Sequence, residues 1–578
     1  MTRCGRALCT VAAIAAAALA FPALASAHAV LLKTSPVASG TVNTSPTHVA
    51  LTYSEAVEPR FAIVSVTDAA GKQQTSGPPS RSPTNPDELD VPLNPLSEGW
   101  YLVYWRVISV DGHPVRGAFT FAIGPNPGPA PQFVIPSLSE SAATPKLLIA
   151  RWATFLSLMA AVGLFVLRML TARPVLRRVP GTSLEPLSIA FGIALVVVLI
   201  ATPVYAEIST AEFARRSFFD FGNVVPLLRD SSFGRSYTDL ELILAIFAVA
   251  AAIAILIDRP ERPHRSVAEL LALDGALIAA AAALLVPGLG GHAAQTSPRG
   301  IALALDWVHV AGASLWIGGL IGLLVVWVTL GSGLRLAGLQ VVVPRFSKVA
   351  LGSVLLVIGS GIWASFLHLP TVASLWQTSY GKALIVKLAI LTGALLLGAT
   401  NNQRTVPRLA VADTAPGPAE GAAKMLRGLV SLEVVIVAAV IFAAGILSSL
   451  APPSKALAAI GKSSVRVGPG SVTKVVNRQG YRLEFHVSPN RAAVPNGFTV
   501  KITKNGKPVQ HAEVATTFTM LDMEMGQQGY RLQEISPGVY SVTKPALVMV
   551  GHWALTFDIA PPGSRQPLTV QLVDRAGG

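Results

Sequence analysis

Apolar and polar positions follow three different rhythms along the chain. Short alternations of period two, cut by turn residues, run from His28 to about Ile123. Val49-Ala50-Leu51-Thr52-Tyr53, Ala62-Ile63-Val64-Ser65-Val66 and Trp100-Tyr101-Leu102-Val103-Tyr104-Trp105-Arg106-Val107 are rich in β-branched and aromatic residues, and Asp68-Ala69-Ala70-Gly71-Lys72 is a turn. This is the signature of strands, and the spacing predicts a small all-β sandwich with Greek-key connections. A proline-rich stretch, 124–145, reads as a semi-rigid tether. Alternation gives way to eight long apolar runs, near 146–170, 186–206, 239–257, 268–288, 301–330, 345–368, 380–400 and 427–450. Each is close to the roughly 20 residues a helix needs to cross a bilayer. Alternation returns over 465–578, with turns at Lys504-Asn505-Gly506-Lys507 and Pro537-Gly538, and predicts a second all-β sandwich. The expected architecture is therefore multi-domain: sandwich, linker, an eight-helix transmembrane bundle over 146–450, sandwich.

Composition agrees. Of 578 residues 52% are hydrophobic and 13% charged, against roughly 25% charged in a soluble domain. The first 27 residues carry Arg3 and Arg6, an apolar core and Ala25-Ser26-Ala27, an expected signal-peptidase site. Cleavage there would make His28 the N-terminus and discard Cys4 and Cys9, the two cysteines of the chain. Disulfides, thiolate metal sites and cysteine nucleophiles are then excluded.

The formal charge of +14 raises nucleic acid as a partner. The surplus instead falls in short loops between apolar runs. If the first sandwich is outside, thirteen Lys and Arg of the inter-run loops face the cytoplasm, against Arg215, Arg216, Arg229, Arg235 and Arg299 outside. The positive-inside rule then orients the bundle, and an even number of spans returns the C-terminus to the outer side. No basic patch interleaved with aromatics and no phosphate-binding glycine loop occurs, so nucleic acid is not expected as a partner and ATP-driven transport within this chain is not expected either.

The chemistry-bearing residues begin with His28. An N-terminal histidine offers an α-amine and an imidazole to one ion, donors that suit Cu(II). A carboxylate and a second imidazole would complete a tetragonal site, and Asp111-Gly112-His113 supplies both. Alone, that tripeptide is also what a tight turn looks like. Its combination with His28 favours metal.

These residues resemble the CopC copper-binding family. The resemblance is carried by His28-Ala29-Val30-Leu31, Ser35-Pro36, Leu51-Thr52-Tyr53-Ser54-Glu55, Trp105 through Val115 and Gly117-Ala118-Phe119-Thr120-Phe121. It implies His28, Asp111 and His113 as Cu(II) ligands and Glu55 as a neighbouring polar group that orients the histidine. Glu55 also reads as a solvated strand-end carboxylate. No methionine lies between His28 and Gly124, so a methionine-rich Cu(I) site is not expected there.

The apolar region resembles CopD, and the combination resembles YcnJ-like fusions of the two. The matching segments are Gly290-Gly291-His292-Ala293-Ala294, Asp306-Trp307-Val308-His309, Trp316-Ile317-Gly318-Gly319, Tyr380-Gly381-Lys382, Lys387 and Asn401. The resemblance implies movement of copper across a bacterial inner membrane. By topology His292, His309 and His368 are expected at one membrane depth, a candidate copper path, the alternative being helix capping or a carbonyl bond at each. Asp306 and Lys387 are expected to pair, and Asp274 with Glu433 are candidates for an ion path.

In the last domain Met520, Met523, Met525 and Met549 offer thioethers, which favour Cu(I). Met523 and Met525 alternate onto one strand face, and His552 in Gly551-His552-Trp553 is a candidate companion; core packing is the ordinary role of such methionines. This region resembles YtkA-like domains.

The expected function is capture of Cu(II) outside the membrane and import of copper, without enzymatic activity. An external reductant or copper chaperone is a candidate partner, Cu(I) a candidate transported form, and the lipid bilayer the medium. The alternative is a tolerance or sensing module that binds copper without transporting it. A copper monooxygenase, which also uses an N-terminal histidine, is a third reading, disfavoured by the carboxylate of Asp111.

Overall fold

The computed structural model describes residues 29–577 except 30, 39, 55, 109–113, 129–143, 290, 297, 412–415, 451–464, 493, 522–527, 549–550 and 564–567. It divides into a helical unit and a unit of β structure.

The first β domain contains β1 (Leu31–Ser35), β2 (Thr41–Val42), β3 (His48–Tyr53), β4 (Ile63–Asp68), β5 (Ser80–Arg81), β6 (Glu88–Pro92), β7 (Gly99–Ile108) and β8 (Pro114–Ile123). They form two four-stranded sheets, β1-β3-β6-β5 and β2-β8-β7-β4. The sequence explains the layering. Val49, Leu51 and Tyr53 point to one side of β3, and with Val103, Trp105 and Val107 of β7 and Phe119 and Phe121 of β8 they make one core. Tyr101 stacks on Phe121 with centroids 5.5 Å apart. The near-continuous apolar run of β7 has its counterpart in the structure: Leu102, Tyr104 and Arg106, on the opposite face, are buried as well.

The second β domain contains β9 (Val465–Arg466), β10 (Val472–Arg478), β11 (Tyr481–Ser488), β12 (Asn496–Lys504), β13 (Lys507–Pro508), β14 (Glu513–Met520), β15 (Gln528–Ser536), β16 (Val539–Lys544), β17 (Gly551–Ala560) and β18 (Leu568–Ala576). They follow one path, β10-β11-β12-β16-β15-β14-β17-β18-β9, with β13 beside β12. Phe485, Phe498, Phe518 and Phe557 sit in a single core enclosed by that path.

Among the described residues eight helices are long and apolar enough to cross a membrane. They are α1 (Pro145–Val166), α2 (Glu185–Phe213), α3 (Ser232–Ile257), α4 (Val267–Leu289), α5 (Arg299–Thr329), α6 (Ser332–His368), α7 (Ser379–Thr400) and α8 (Pro416–Leu447). Helices in lipid associate through close packing of small residues. Here α1 and α5 cross at Gly163 and Gly318, where a methyl group on either glycine would overlap the backbone of the other helix. Gly319 receives the ring of Phe346 from α6. Tryptophans tie helices together: the indole N–H of Trp152 donates to the Ala438 carbonyl at 2.8 Å, that of Trp307 to Ala281 at 2.9 Å and that of Trp327 to Ala423 at 3.0 Å.

Candidate metal centre

His28, Glu55, Asp111 and His113 lie outside the described residues. Their described flanks converge. Leu31, at the start of β1, pairs with Tyr53, the last residue of β3. Ile108 and Pro114 are the closing pair of the β7–β8 hairpin that carries segment 109–113. Tyr53 and Trp105 join the two sheets at this end, ring to ring, with centroids 5.7 Å apart. Trp105 can lie flat there because its neighbour across the hairpin is Gly117; a Cβ at that position would sit 2.7 Å from Cζ2 of the indole. Strand pairing within each sheet and the Tyr53–Trp105 contact between the sheets therefore bring the flanks of all four positions to one end of the sandwich.

Tyr53 is a residue that sequence reasoning missed. Its hydroxyl is buried and finds no hydrogen-bond partner among the described residues. Burial raises its pKa well above the ordinary phenol value, so it stands there as a neutral O–H donor. Only its place as the residue before Ser54-Glu55 hinted at this.

In the helical unit His309 and His368 are both held at Nδ1, by different means. Nδ1 of His309 lies 3.1 Å from the Ser360 hydroxyl. That hydroxyl donates to the Leu356 carbonyl at 2.5 Å, so it accepts from His309, which places the imidazole proton on Nδ1 and leaves Nε2 the lone-pair nitrogen. Gly361 opens the space beside the ring: a Cβ there would lie 3.3 Å from Cε1. His368 donates from Nδ1 to the Ala364 carbonyl at 2.7 Å, and its Nε2 faces the Thr296 hydroxyl at 3.2 Å. Its ring stacks over Tyr380 at 6.4 Å. His292 begins the short helix His292–Gln295, which leads to Thr296.

The expectation of one shared depth needs correction. His309 meets α6 at Ser360, eight residues before His368, which is about 12 Å along a helix. The imidazole of His309, from α5, and that of His368, from α6, therefore meet α6 about two turns apart. Among the described residues no group of three His, Cys, Asp or Glu side chains gathers as a metal-binding cluster.

Asp306 and Lys387 are electrostatic neighbours, yet no ion pair closes between them among the described residues. Asp306 instead presses against Gly288, where a Cβ would lie 2.6 Å from Oδ2. Asp274 and Glu433 sit in different surroundings. Asp274 is exposed on α4, whereas Glu433 is buried on α8 and accepts the indole N–H of Trp316 at 2.9 Å.

The sequence also gave no sign of a buried ionic network beside the ends of α1, α3 and α4. Asp258 accepts from Arg168 at 2.8 Å and Arg173 at 3.0 Å, with Arg265 at 3.8 Å. Glu269 closes it, 4.0 Å from Arg173 and accepting the backbone N–H of Arg259 and of Ser266, each at 2.6 Å. Three arginines against two carboxylates hold these helix ends together with little exposure to water.

In the second β domain Met523, Met525 and Met549 lie outside the described residues. His552 is on β17 opposite Arg575, and its carbonyl accepts from Leu521 N–H at 2.8 Å. Met520 pairs with Trp553, which pairs with Asp574; all three face the core. Residues adjacent in a strand point to opposite faces, so His552 projects away from Met520.

Residues 31–124 match the CopC domain, 142–301 the copper resistance protein D-like N-terminal domain, 340–447 copper resistance protein D, and 476–558 the YtkA-like domain. The chain is 25% identical over 551 residues to the copper transport protein CutJ of Bacillus subtilis, covering 92% of this chain and 93% of that one. It is 32% identical over 124 residues to copper resistance protein C of Xanthomonas campestris pv. juglandis, covering 20% of this chain and 96% of the relative. Protein YobA of Escherichia coli K12 is 36% identical over 98 residues, 17% of this chain and 79% of that protein.

Proposed function

We propose, on the premise that this chain belongs to the CopC/CopD family of copper proteins, that it captures Cu(II) at its mature N-terminus outside the cell and imports copper through its helical bundle. The carrying observation is the convergence of Leu31, Tyr53 and Trp105, which brings the flanks of His28, Glu55, Asp111 and His113 to one end of the first sandwich. An α-amine, two imidazoles and one carboxylate suit a tetragonal cupric ion, and Glu55 orients the N-terminal histidine. Released copper enters the bundle near His292 and His368 and passes His309, whose proton on Nδ1 turns a lone pair outward from α6. Both β domains are extracytoplasmic in this reading, an external reductant or chaperone supplies Cu(I) where that form is carried, and the chain has no enzymatic role. His552, with Met523 and Met525, is a secondary copper site on the last domain.

Copper accumulation in cells that lack other copper importers tests the reading. Wild-type protein raises intracellular copper, and His309→Ala, expressed to the same level in the membrane, does not. The runner-up, a tolerance module that only binds copper outside, predicts equal accumulation with both. CutJ, a copper transport protein of nearly the same span, supports the first.

A further inference from the structure

The segment that joins α2 to α3 has no part in the proposed function, yet it is chemically distinctive. Four of the five basic residues that sequence reading assigned to the outer loops are here or at its exit: Arg215, Arg216, Arg229 and Arg235. Arg215 takes a left-handed backbone, φ 53°, and turns the chain out of α2. Phe218, Phe219 and Phe221 then gather, with ring centroids 5.1 Å apart for 218 and 219 and 5.7 Å for 218 and 221. They are not a core: Phe219 is 78% exposed and Phe221 49%.

The helix Phe221–Asp230 follows. Phe221, Val224, Val225 and Leu228 stand at i, i+3, i+4 and i+7, one apolar stripe. Val224 is fully buried and the helix packs on α2 and α3, so this end of the stripe is fixed to the bundle while the phenyl rings extend beyond it. Arg215, Arg216 and Arg229 are exposed. Asp220 ties the turn together, accepting from Arg216 at 3.0 Å and from Asn223 at 2.8 Å.

We infer that residues 214–231 form an interfacial anchor, with Phe219 and Phe221 in the acyl boundary of the bilayer and the guanidinium groups of Arg215, Arg216 and Arg229 on the phosphates of anionic lipids. The occupant is argued from connectivity and charge. Both ends of the segment run directly into membrane-spanning helices, which holds it at the surface of the bilayer. No basic patch interleaved with aromatics was expected from the sequence, but Arg215 and Arg216 stand directly before Phe218, Phe219 and Phe221 here, and aromatic rings beside basic groups at that depth are what the interface selects. Arginine, with its planar fork of donors, matches a phosphate diester in two hydrogen bonds at once. A positive loop on the outer side, at odds with the general charge bias, is then held by lipid rather than by the translocation rule alone.

The test uses the full chain with Cys4 and Cys9 replaced by Ser, reconstituted in nanodiscs of phosphatidylcholine with phosphatidylglycerol. Spin labels are placed singly through Phe219→Cys, Phe221→Cys and Asn223→Cys. Labels at 219 and 221 should collide with dissolved oxygen several-fold more often than with a water-soluble nickel chelate, and the label at 223 should show the opposite ratio. Nickel access at 219 equal to that at 223 overturns the anchor. In parallel, the triple variant Arg215→Gln, Arg216→Gln, Arg229→Gln should co-purify about threefold less phosphatidylglycerol than wild type from a mixed bilayer. Equal recovery overturns the phosphate contact.

Discussion

Tyr53 meets Trp105 edge-on, with ring centroids 5.7 Å apart and ring planes at 74°. This one contact links the end of β3 to the end of β7, and both are within a few residues of proposed copper ligands. Trp105→Ala should cost about 3–5 kcal/mol of stability in the first β domain, as large-to-small changes in a packed core do. It should also loosen the β7–β8 tip and weaken copper binding. Thermal unfolding of the mature protein with and without copper checks both: the variant should unfold earlier and gain less from added copper. Retention of the wild-type copper shift would detach the ring pair from the site.

Ser360 is a positioning residue for His309, because its hydroxyl accepts the Nδ1 proton only while donating to the Leu356 carbonyl. Groups that orient a metal-binding imidazole are typically worth 10- to 100-fold in affinity or activity. Ser360→Ala should lower copper uptake by about tenfold, and Ser360→Thr, which keeps the hydroxyl, should restore most of it. Equal uptake by the alanine variant would remove Ser360 from the path.

Asp258 is fully buried between Arg168 and Arg173. Asp258→Ala leaves Arg168 in low dielectric without its carboxylate and Arg173 with Glu269 alone, a change that typically costs about 3–5 kcal/mol. The purified variant should unfold several degrees lower in detergent. Removing the charge of one arginine as well, in Asp258→Ala with Arg168→Met, should recover part of the loss, since the penalty is for the unpaired charge and not for the missing bond.

Asp574 supplies a pH dependence. Burial in the core face of β18 pushes its pKa up to about 6, against the downward pull of the Asn490 amide and His552. A carboxyl whose native pKa lies above its unfolded value binds more protons when folded. Its contribution to stability is therefore complete below about pH 4 and is lost as the pH rises through about 6. Asp574→Asn keeps the shape without the charge. It should raise the stability of the last domain at pH 7 by about 2–3 kcal/mol and change little at pH 4. Denaturant titrations at the two pH values decide it, and an equal effect at both would show that Asp574 is not protonated in the fold.

Much of the architecture was legible in the rhythm of the sequence. The alternation in Val49-Ala50-Leu51-Thr52-Tyr53 and the long apolar runs follow from local burial, which each segment declares for itself. The links between segments were not legible. Asp258 and Arg168 are ninety residues apart and read separately as loop charges; only the fold makes them partners. Asp306 and Lys387 matched in charge and depth but do not close, because helix rotation, unlike helix position, is set by packing. His309 and His368 were placed at one level by counting from span ends, while the two-turn offset depends on where α5 crosses α6. Of the three proposed cupric ligand residues and their helper, the sequence offered the residue types, and the strand pairs Leu31–Tyr53 and Ile108–Pro114, joined by the Tyr53–Trp105 contact, give their flanks a common end.

The account turns on His28 as a chelating N-terminus. The decisive measurement is paramagnetic resonance of the mature full-length protein loaded with one equivalent of Cu(II), beside the same protein carrying one extra alanine before His28. The native N-terminus should give a tetragonal cupric spectrum with nitrogen couplings from both an amine and imidazoles, and the extended protein should lose the amine coupling and bind at least about tenfold more weakly. Identical spectra and affinities from the two proteins would contradict the proposed site.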